Sequence, residues 1–166
     1  MLFLANFQKT SLGLPFVKYI NLSGNKIEIE DFQGIKWAQN LQSLNLDGNV
    51  VYSFDGISAS KSLAALGVSN SGLKGLLPDE LLLLSRLEEI DVSENFISGE
   101  VPSGLRLFEN LTMFSASNNQ LSGYILTWIS AWRKLKYLCL DGNDFSGMIP
   151  GALSSLPSLL HLDHSN

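Results

Sequence analysis

The chain has 166 residues, a formal net charge of −5, and 45% hydrophobic but only 16% charged residues. This composition argues against disorder, and the excess of acid argues against a nucleic-acid partner, which requires a basic surface. The single cysteine, Cys139, excludes an internal disulfide framework and a zinc site of the cysteine type.

The first thirteen residues, MLFLANFQKTSLG, are rich in apolar side chains. They lack a basic leading segment and a clear small-residue cleavage site, so we interpret them as structure and not as a signal peptide. No uninterrupted apolar run approaches the ~20 residues that a membrane-spanning helix needs. The sequence therefore predicts no membrane segment in this chain.

From residue 17 onward a short motif with the pattern LxxLxL recurs. Its first residues are Val17, Leu41, Leu63, Leu87, Leu111, Leu135 and Leu159. The spacing is 24 residues throughout, except for 22 between the second and third motifs. A period of this length is typical of a leucine-rich repeat, in which each repeat forms one turn of a solenoid.

Each motif predicts one short strand, because its last two apolar residues alternate with a polar one and point to the same side. The predicted inward pairs are Ile20/Leu22, Leu44/Leu46, Leu66/Val68, Ile90/Val92, Phe114/Ala116 and Leu138/Leu140. Stacked turns place these strands in one parallel sheet. Apolar residues at positions 19 and 22 of each repeat should close the core from the opposite side: Leu81/Leu84, Leu105/Phe108, Ile129/Trp132 and Leu153/Leu156.

Position 9 of most repeats carries an asparagine: Asn25, Asn49, Asn95, Asn119 and Asn143. The chain turns there, and a buried amide side chain can serve backbone N–H and C=O groups that leave the strand. We therefore predict a ladder of asparagines along the solenoid. The third repeat has Ser71 at this position and Asn70 just before it, so we expect a weaker rung there.

Positions 12 to 16 carry a second element, with the segments KGLLP (74–78), SGEVP (98–102), SGYIL (122–126) and SGMIP (146–150). The glycine allows a tight bend or a close neighbour, and the proline ends strand pairing and starts the outer segment. The combined pattern LxxLxLxxNxLSGxIP resembles the plant-specific class of leucine-rich repeat. The resemblance covers residues 17–166, and over residues 17–62 the SGxIP element is lost.

The resemblance implies an α/β solenoid: a right-handed superhelix with a parallel β-sheet on the concave face and short helical, 3-10 or irregular segments on the convex face. We expect one array over residues 1–166, with a partial turn at 1–16 and an interrupted turn at 159–166. Family members usually carry paired-cysteine caps, and this chain has none. Three explanations are open: a piece of a longer array, a truncated gene product, or self-association through an end.

No catalytic constellation is visible in the sequence. His161 should face outward and His164 inward, so HLDH is a poor metal site. Glu88/Glu89 is better explained as solvated surface, and Cys139 as an incidental, partly exposed cysteine on the concave face. Trp132 falls on a core position, whereas Trp128 is expected to be more exposed. We expect no enzyme activity, no metal and no cofactor in this chain.

Two segments, Asn21-Leu-Ser and Asn110-Leu-Thr, match the N-glycosylation acceptor. Both also fit the repeat consensus, so modification and coincidence are both open. Asn110 should lie at an accessible bend, whereas Asn21 should project from the concave sheet. A glycan on Asn21 would push a ligand toward later repeats.

The best candidate functional surface is the concave sheet, because regular strands present side chains at fixed spacing to an extended partner. The outward positions 3, 5, 7 and 8 hold six acids, Asp47, Glu89, Asp91, Glu94, Asp141 and Asp163, and no lysine or arginine. We therefore expect a partner with basic or donor groups. The candidate ligand-binding residues are Asp47, Glu89, Asp91, Ser93, Glu94, Met113, Ser115, Tyr137 and Asp141.

The resemblance implies a module that binds a protein or peptide ligand, as part of the extracellular region of a plant receptor-like kinase or receptor-like protein that signals with a co-receptor. The kinase and the membrane anchor would lie in a longer parent protein. Two alternatives are a secreted inhibitor resembling those of polygalacturonases, and a non-functional repeat fragment.

Overall fold

The computed structural model describes residues 14–125 and 127–165. These residues form thirteen short strands (β) and six short 3-10 helices (η). In chain order they are β1 (Tyr19–Asn21), β2 (Glu28–Ile29), η1 (Gln33–Trp37), β3 (Ser43–Asn45), β4 (Val50–Val51), η2 (Ile57–Ala59), β5 (Ala65–Gly67), β6 (Lys74–Gly75), η3 (Asp79–Leu83), β7 (Glu89–Asp91), β8 (Phe96–Gly99), η4 (Ser103–Leu107), β9 (Met113–Ser115), β10 (Gln120–Tyr124), η5 (Thr127–Ala131), β11 (Tyr137–Cys139), β12 (Asp144–Ser146), η6 (Gly151–Ser155) and β13 (His161–Asp163).

The predicted solenoid and its main sheet are confirmed. Seven parallel strands lie side by side in the order β1-β3-β5-β7-β9-β11-β13. Each strand occupies positions 3 to 5 of its motif, and equal positions pair, as in Leu44↔Leu66 and Leu138↔Leu162. We number the turns by their motifs: turn 1 covers residues 17–40, turn 2 residues 41–62, turn 3 residues 63–86, turn 4 residues 87–110, turn 5 residues 111–134, turn 6 residues 135–158, and turn 7 begins at residue 159.

The core lies between this concave sheet and the 3-10 helices. The predicted inward pairs of turns 2 to 6 and all four predicted convex pairs are buried. Ile20 and Leu22 are only partly buried, and Leu162 is 39% exposed, because they belong to the outermost strands of the described stack. Burial from both sides therefore requires a neighbouring turn on each side.

The convex segments begin where the sequence predicts. Pro78, Pro102 and Pro150 each directly precede a 3-10 helix in extended backbone. A proline is suited to this place because it lacks the N–H that strand pairing would use. The predicted place of the SGxIP proline at the start of the outer segment is confirmed, but strand pairing ends before the proline, at Gly75 in β6 and Gly99 in β8.

A second, lateral ladder was not predicted from the sequence. Beside the main sheet, β6, β8, β10 and β12 form a four-stranded parallel sheet, and β2 pairs with β4 in a separate two-stranded one. The strands of the four-stranded sheet run through the SG part of the SGxIP element. In turns 1 and 2, pairing occurs without that glycine, because a ladder requires backbone groups and not a particular side chain.

The glycines of the SGxIP element allow both a positive φ and the close approach of a side chain from the preceding turn. Gly99 and Gly147 have φ values of 78° and 85°, which side chains rarely adopt. In addition, a Cβ on Gly99 would lie 2.5 Å from Leu76 Cδ2, and one on Gly147 would lie 2.7 Å from the Tyr124 ring. The close neighbour is therefore a side chain of the preceding turn and not its backbone.

The partial turn predicted at residues 1–16 lies mostly outside the described residues. Of that segment, Leu14 is partly buried, and its carbonyl accepts a hydrogen bond from the Val17 N–H at 3.1 Å. Within residues 14–125 and 127–165, no helix has the length and hydropathy needed to cross a bilayer.

Candidate functional site: the concave face

The concave strands present three rows of outward side chains. The row at position 3 contains Glu89, Met113, Tyr137 and His161, on four neighbouring strands. The rings of Tyr137 and His161 lie 6.5 Å apart. This row therefore offers one carboxylate followed by three larger, partly apolar side chains along the stack.

The row at position 5 places Asp91, Ser115, Cys139 and Asp163 on the same four strands. Asp91 and Asp163 also form hydrogen bonds within their own turns. The carboxylate of Asp91 accepts hydrogen bonds from the Ser93 N–H at 3.0 Å and the Ser93 hydroxyl at 2.6 Å. Asp163 bonds Ser165 in the same way. The acids at position 5 thus cap the backbone where each strand ends.

These hydrogen bonds also explain the charge state of the last strand. Two hydrogen bonds from Ser165, backbone first and hydroxyl second, hold the pKa of Asp163 below its ordinary value, with a smaller effect from the nearby His161. Hydrogen bonds to a carboxylate favour its ionised form. Asp163 is therefore a negative charge of the concave face across the neutral pH range.

The row at position 7 continues this pattern. The carboxylate of Asp141 accepts a hydrogen bond from the Ser117 hydroxyl of the preceding turn. Asp47 accepts the Ser69 N–H at 2.7 Å, because Gly67 in turn 3 has no side chain with which to cap it. Of the predicted acids, Asp47, Asp91 and Asp141 therefore have structural partners and are partly exposed.

Three carboxylates surround Cys139 in sequence or along the sheet. Asp163 is its neighbour on β13, Asp141 follows it by two residues, and Asp91 lies on β7, two strands away. Burial raises the pKa of the Cys139 thiol, and the negative charges of Asp141, Asp163 and Asp91 raise it further. The thiol is partly exposed, as predicted. An acidic field around a thiol disfavours the thiolate, so this cysteine is electrostatically the opposite of a reactive nucleophile.

This field can be measured through the thiol. Because the pKa is raised, the fraction of thiolate at pH 8 is small, and alkylation of Cys139 should be slower than that of a free cysteine. Asp163→Asn removes one charge and keeps the oxygen that accepts from Ser165, so labelling by iodoacetamide at pH 8 should accelerate about twofold, the lower pKa being partly offset by lower nucleophilicity. Asp79→Asn, on the convex side, is the control. Equal rates in both variants would show that the carboxylate does not act on the thiol.

One predicted site residue, Glu94, does not lie on the sheet as expected. Glu89 is exposed on β7, whereas Glu94 lies three residues beyond that strand. Glu94 has a φ of 54°, in the left-handed region that Asn118 and Gly142 adopt at the same position of the next turns. Its carboxylate is therefore carried by the turn and not by the sheet.

The asparagine ladder is confirmed from turn 2 onward. The side-chain N–H₂ of Asn119 donates to carbonyls of its own turn and to Val92 O of the preceding turn at 3.0 Å, while its oxygen accepts the Ile97 N–H at 2.9 Å. Asn49, Asn95 and Asn143 bond in the same way. Asn25 is exposed and, among the described residues, donates to carbonyls of its own turn alone, so it is not a buried rung.

The remaining sequence candidates lie as follows. His161 is exposed, and His164 is half-buried, with its ring 5.9 Å from that of Phe145. Among the described residues, no three histidine, cysteine or acidic side chains come together as metal ligands. Trp132 is buried as predicted, and Trp128 is more exposed than Trp132 but still partly buried. Its ring packs edge-on against Trp132 at 5.3 Å and is partly buried in the core.

Both glycosylation acceptors are exposed. Asn21 ends β1 on the concave face, where its side-chain oxygen accepts from the Ser23 N–H and hydroxyl. Asn110 lies at the bend before β9, and its oxygen accepts from Lys134 Nζ at 2.7 Å. Both positions therefore leave the amide nitrogen on the surface.

Repeating strand-turn units with a buried asparagine ladder define the class of this protein, which is a leucine-rich repeat protein. The family model described as Leucine Rich Repeat matches residues 86–108 and 134–156. No curated protein sequence matches the chain significantly.

Solved structures extend this classification. The chain is similar to the ectodomain of the receptor kinase GASSHO1/SCHENGEN3 from Arabidopsis thaliana, with 30% identity and a TM-score of 0.82 over 89% of this chain and 18% of that one. It is similar to the Arabidopsis receptor kinase HAESA, solved with the peptide hormone IDA and the co-receptor SERK1, with 34% identity and a TM-score of 0.82 over 89% of this chain and 25% of that one. For the ectodomain of SOBIR1 from Arabidopsis thaliana the identity is 25% and the TM-score 0.64, over 75% of this chain and 74% of that one.

The protein is thus a plant-type leucine-rich repeat protein that resembles receptor kinase ectodomains. The chain spans between about a fifth and a quarter of the length of the first two of these receptors.

Proposed function

We propose that this chain is a protein- or peptide-binding module of the extracellular region of a plant receptor-like kinase or receptor-like protein. The proposal is supported by its similarity to receptor kinase ectodomains, one of which was solved with a peptide hormone and a co-receptor. In this proposal the ligand lies along the concave face, and a co-receptor joins the complex. The parent protein signals at the cell surface, where Asn21 and Asn110 are available for glycosylation.

The observation that carries the site is the set of outward carboxylates on neighbouring strands, Asp91, Asp141 and Asp163, on a face whose outward columns contain no lysine or arginine. Opposite charges across an interface steer association and fix register. The ligand is therefore an extended segment with basic side chains facing positions 5 and 7. Its apolar or aromatic side chains face Met113 and Tyr137 at position 3.

The geometry dictates which acids can be tested. Charge reversal at Asp91 would remove the cap on Ser93, whereas Asp91→Asn keeps the accepting oxygen and removes only the charge. Glu89 is exposed on the strand, so Glu89→Lys changes charge without opening the core. Glu109→Lys makes the same change in net charge at an exposed position before β9, outside the concave face. These three variants separate local from overall electrostatics.

Binding is measured on arrays of synthetic 12-residue peptides matched in hydropathy and differing in charge. We expect basic peptides with alternating apolar residues to bind at least tenfold more tightly than acidic ones at about 0.1 M salt, with the preference falling as salt rises. Glu89→Lys combined with Asp91→Asn should weaken the basic peptides about tenfold, and Glu109→Lys should change little. Equal binding of basic and acidic peptides, or equal loss in both variants, would refute the site.

A further inference from the structure

The junction between turns 2 and 3 differs from the other junctions of the solenoid on its lateral side. The lateral ladder is continuous from β6 to β12 and again from β2 to β4, but β4 and β6 do not pair. The concave ladder crosses the same junction without a break, through Ser43↔Ala65, Leu44↔Leu66 and Asn45↔Gly67. Two neighbouring turns are therefore joined by paired strands along the concave side but not along the lateral side.

The cause lies at Ser71, where the other turns carry an asparagine. In those turns, the amide nitrogen donates to a carbonyl of the preceding turn at 2.9–3.0 Å. The Ser71 hydroxyl reaches the equivalent carbonyl, that of Leu46, only at 3.4 Å. The weaker rung predicted from the sequence is therefore present, and it links turn 3 to turn 2.

The backbone compensates for the missing amide oxygen. In turns 1, 3, 4 and 5 an asparagine of the following turn accepts the N–H at position 11, as Asn119 does for Ile97. The N–H of Val51 in turn 2 instead donates to the main-chain carbonyl of Ser71 at 2.9 Å. That carbonyl therefore points toward turn 2, and Gly72 follows it at a φ of 74°, a conformation outside the strand region. The equivalent residues Val50, Phe96 and Gln120 lie in strands.

The convex segment of turn 2 also differs from those of the other turns. The helix η2 has three residues, whereas the other five 3-10 helices have five. Ser60, which is 1% exposed, follows it, and its hydroxyl has no hydrogen-bond partner among the described residues. Other turns carry apolar side chains at this position: Ala38, Leu84, Phe108, Trp132 and Leu156. A serine here contributes little burial and leaves an unpaired polar group.

The concave rim, by contrast, keeps the backbone bonds that occur at the other junctions. Leu46 N–H donates to Gly67 O and Gly48 N–H to Ser69 O, both at 2.8 Å. The Asp47 carboxylate adds a bond to the Ser69 N–H at 2.7 Å. In an array whose turns contact only their neighbours, stability depends on each junction separately. Here one edge of a junction is held tightly and the opposite side is weakly joined, which is the geometry of a hinge.

We propose that the junction between turns 2 and 3 is a hinge of the solenoid, with the concave strands β3 and β5 as its axis and the lateral side as the part that opens. Opening changes the angle between turns 1–2 and turns 3–7. It thereby changes the curvature of the concave face, with Asp47 on one side of the hinge and Glu89, Asp91 and Asp141 on the other. A hinge of this kind is a local, low-energy opening that leaves the rest of the array folded.

Residue-resolved hydrogen exchange on the full chain tests the proposal. We expect the Val51 amide to exchange at least tenfold faster than the amides of Ile97 and Leu121, which donate to asparagine side chains. The Leu46 and Gly48 amides on the concave rim should stay as protected as their equivalents Val92 and Glu94. Rapid exchange of Val51, Leu46 and Gly48 together would instead indicate that turns 1 and 2 unfold as a block, and would overturn the hinge.

Two variants change the residue at position 9 in opposite ways: one restores an asparagine in turn 3, and the other removes an asparagine from turn 5. Ser71→Asn restores the ladder residue and should slow exchange at Val51 at least tenfold, whereas Ser85→Asn at an exposed convex position should not. Asn119→Ser copies the substitution into the junction between turns 4 and 5 and should accelerate exchange at Ile97 while Met113 on the concave sheet stays protected. Unchanged exchange at Val51 in Ser71→Asn, or equal protection of Val51 and Ile97 in the unmodified chain, would contradict the proposal. If Ser71→Asn does not fold, Asn119→Ser gives the same decision.

Discussion

Asn95→Ala should lower the free energy of unfolding by about 3–4 kcal/mol, because several buried backbone groups lose their partner at once. The side-chain N–H₂ of Asn95 donates to the carbonyls of Val68, Val92 and Ser93, each at 2.9 Å. Its oxygen accepts the N–H groups of Ser71 and Leu73, both at 3.0 Å. The residue is 5% exposed, so water cannot easily replace these bonds.

The matched control is Asn25→Ala. Asn25 occupies the same position in turn 1 but is exposed, and within residues 14–125 and 127–165 its side chain bonds only to its own turn. Its loss should cost less than about 1 kcal/mol, as for most surface substitutions. Urea unfolding followed by circular dichroism measures both changes through the midpoint at constant slope. Similar costs for Asn95 and Asn25 would show that burial of the asparagine does not determine its contribution.

Trp132→Ala should lower the free energy of unfolding by about 3–5 kcal/mol, the usual range for removing a buried large aromatic side chain. Trp132 is 1% exposed, and its ring lies 5.3 Å from that of Phe114 beneath the concave sheet. Its indole N–H donates to Leu105 O of the preceding turn at 2.8 Å. The substitution therefore removes both core volume and a bond between turns 4 and 5.

A pair of phenylalanine substitutions separates these contributions. Trp132→Phe loses the bond to Leu105 and should cost about 1–3 kcal/mol from the unpaired carbonyl alone. Trp128→Phe should cost less, because the buried indole N–H of Trp128 has no hydrogen-bond partner among the described residues. Trp37→Ala, on the exposed convex surface, gives the baseline for an aromatic residue outside the core. The prediction fails if Trp128→Phe is the more destabilising of the two, measured by the shift in urea midpoint.

The candidate site could be predicted from the sequence only in part. Alternation along each strand correctly placed Glu89, Met113, Ser115 and Tyr137 on the outward side, because that alternation is a local property of extended backbone. The sequence could not show that Asp91 and Asp141 also bond Ser93 and Ser117, because such caps depend on the geometry of the strand ends and of neighbouring turns. Nor could it show that Glu94 leaves the strand.

The repeat period, the strand positions, the buried residues and the asparagine ladder were determined by the sequence itself. Each follows from the identity of residues within one turn and from regular spacing between turns. The lateral ladder and its interruption between β4 and β6 were decided only by the tertiary structure. Whether two turns pair along that side depends on the direction of individual carbonyl groups, such as that of Ser71, and no residue pattern within a single turn specifies this direction.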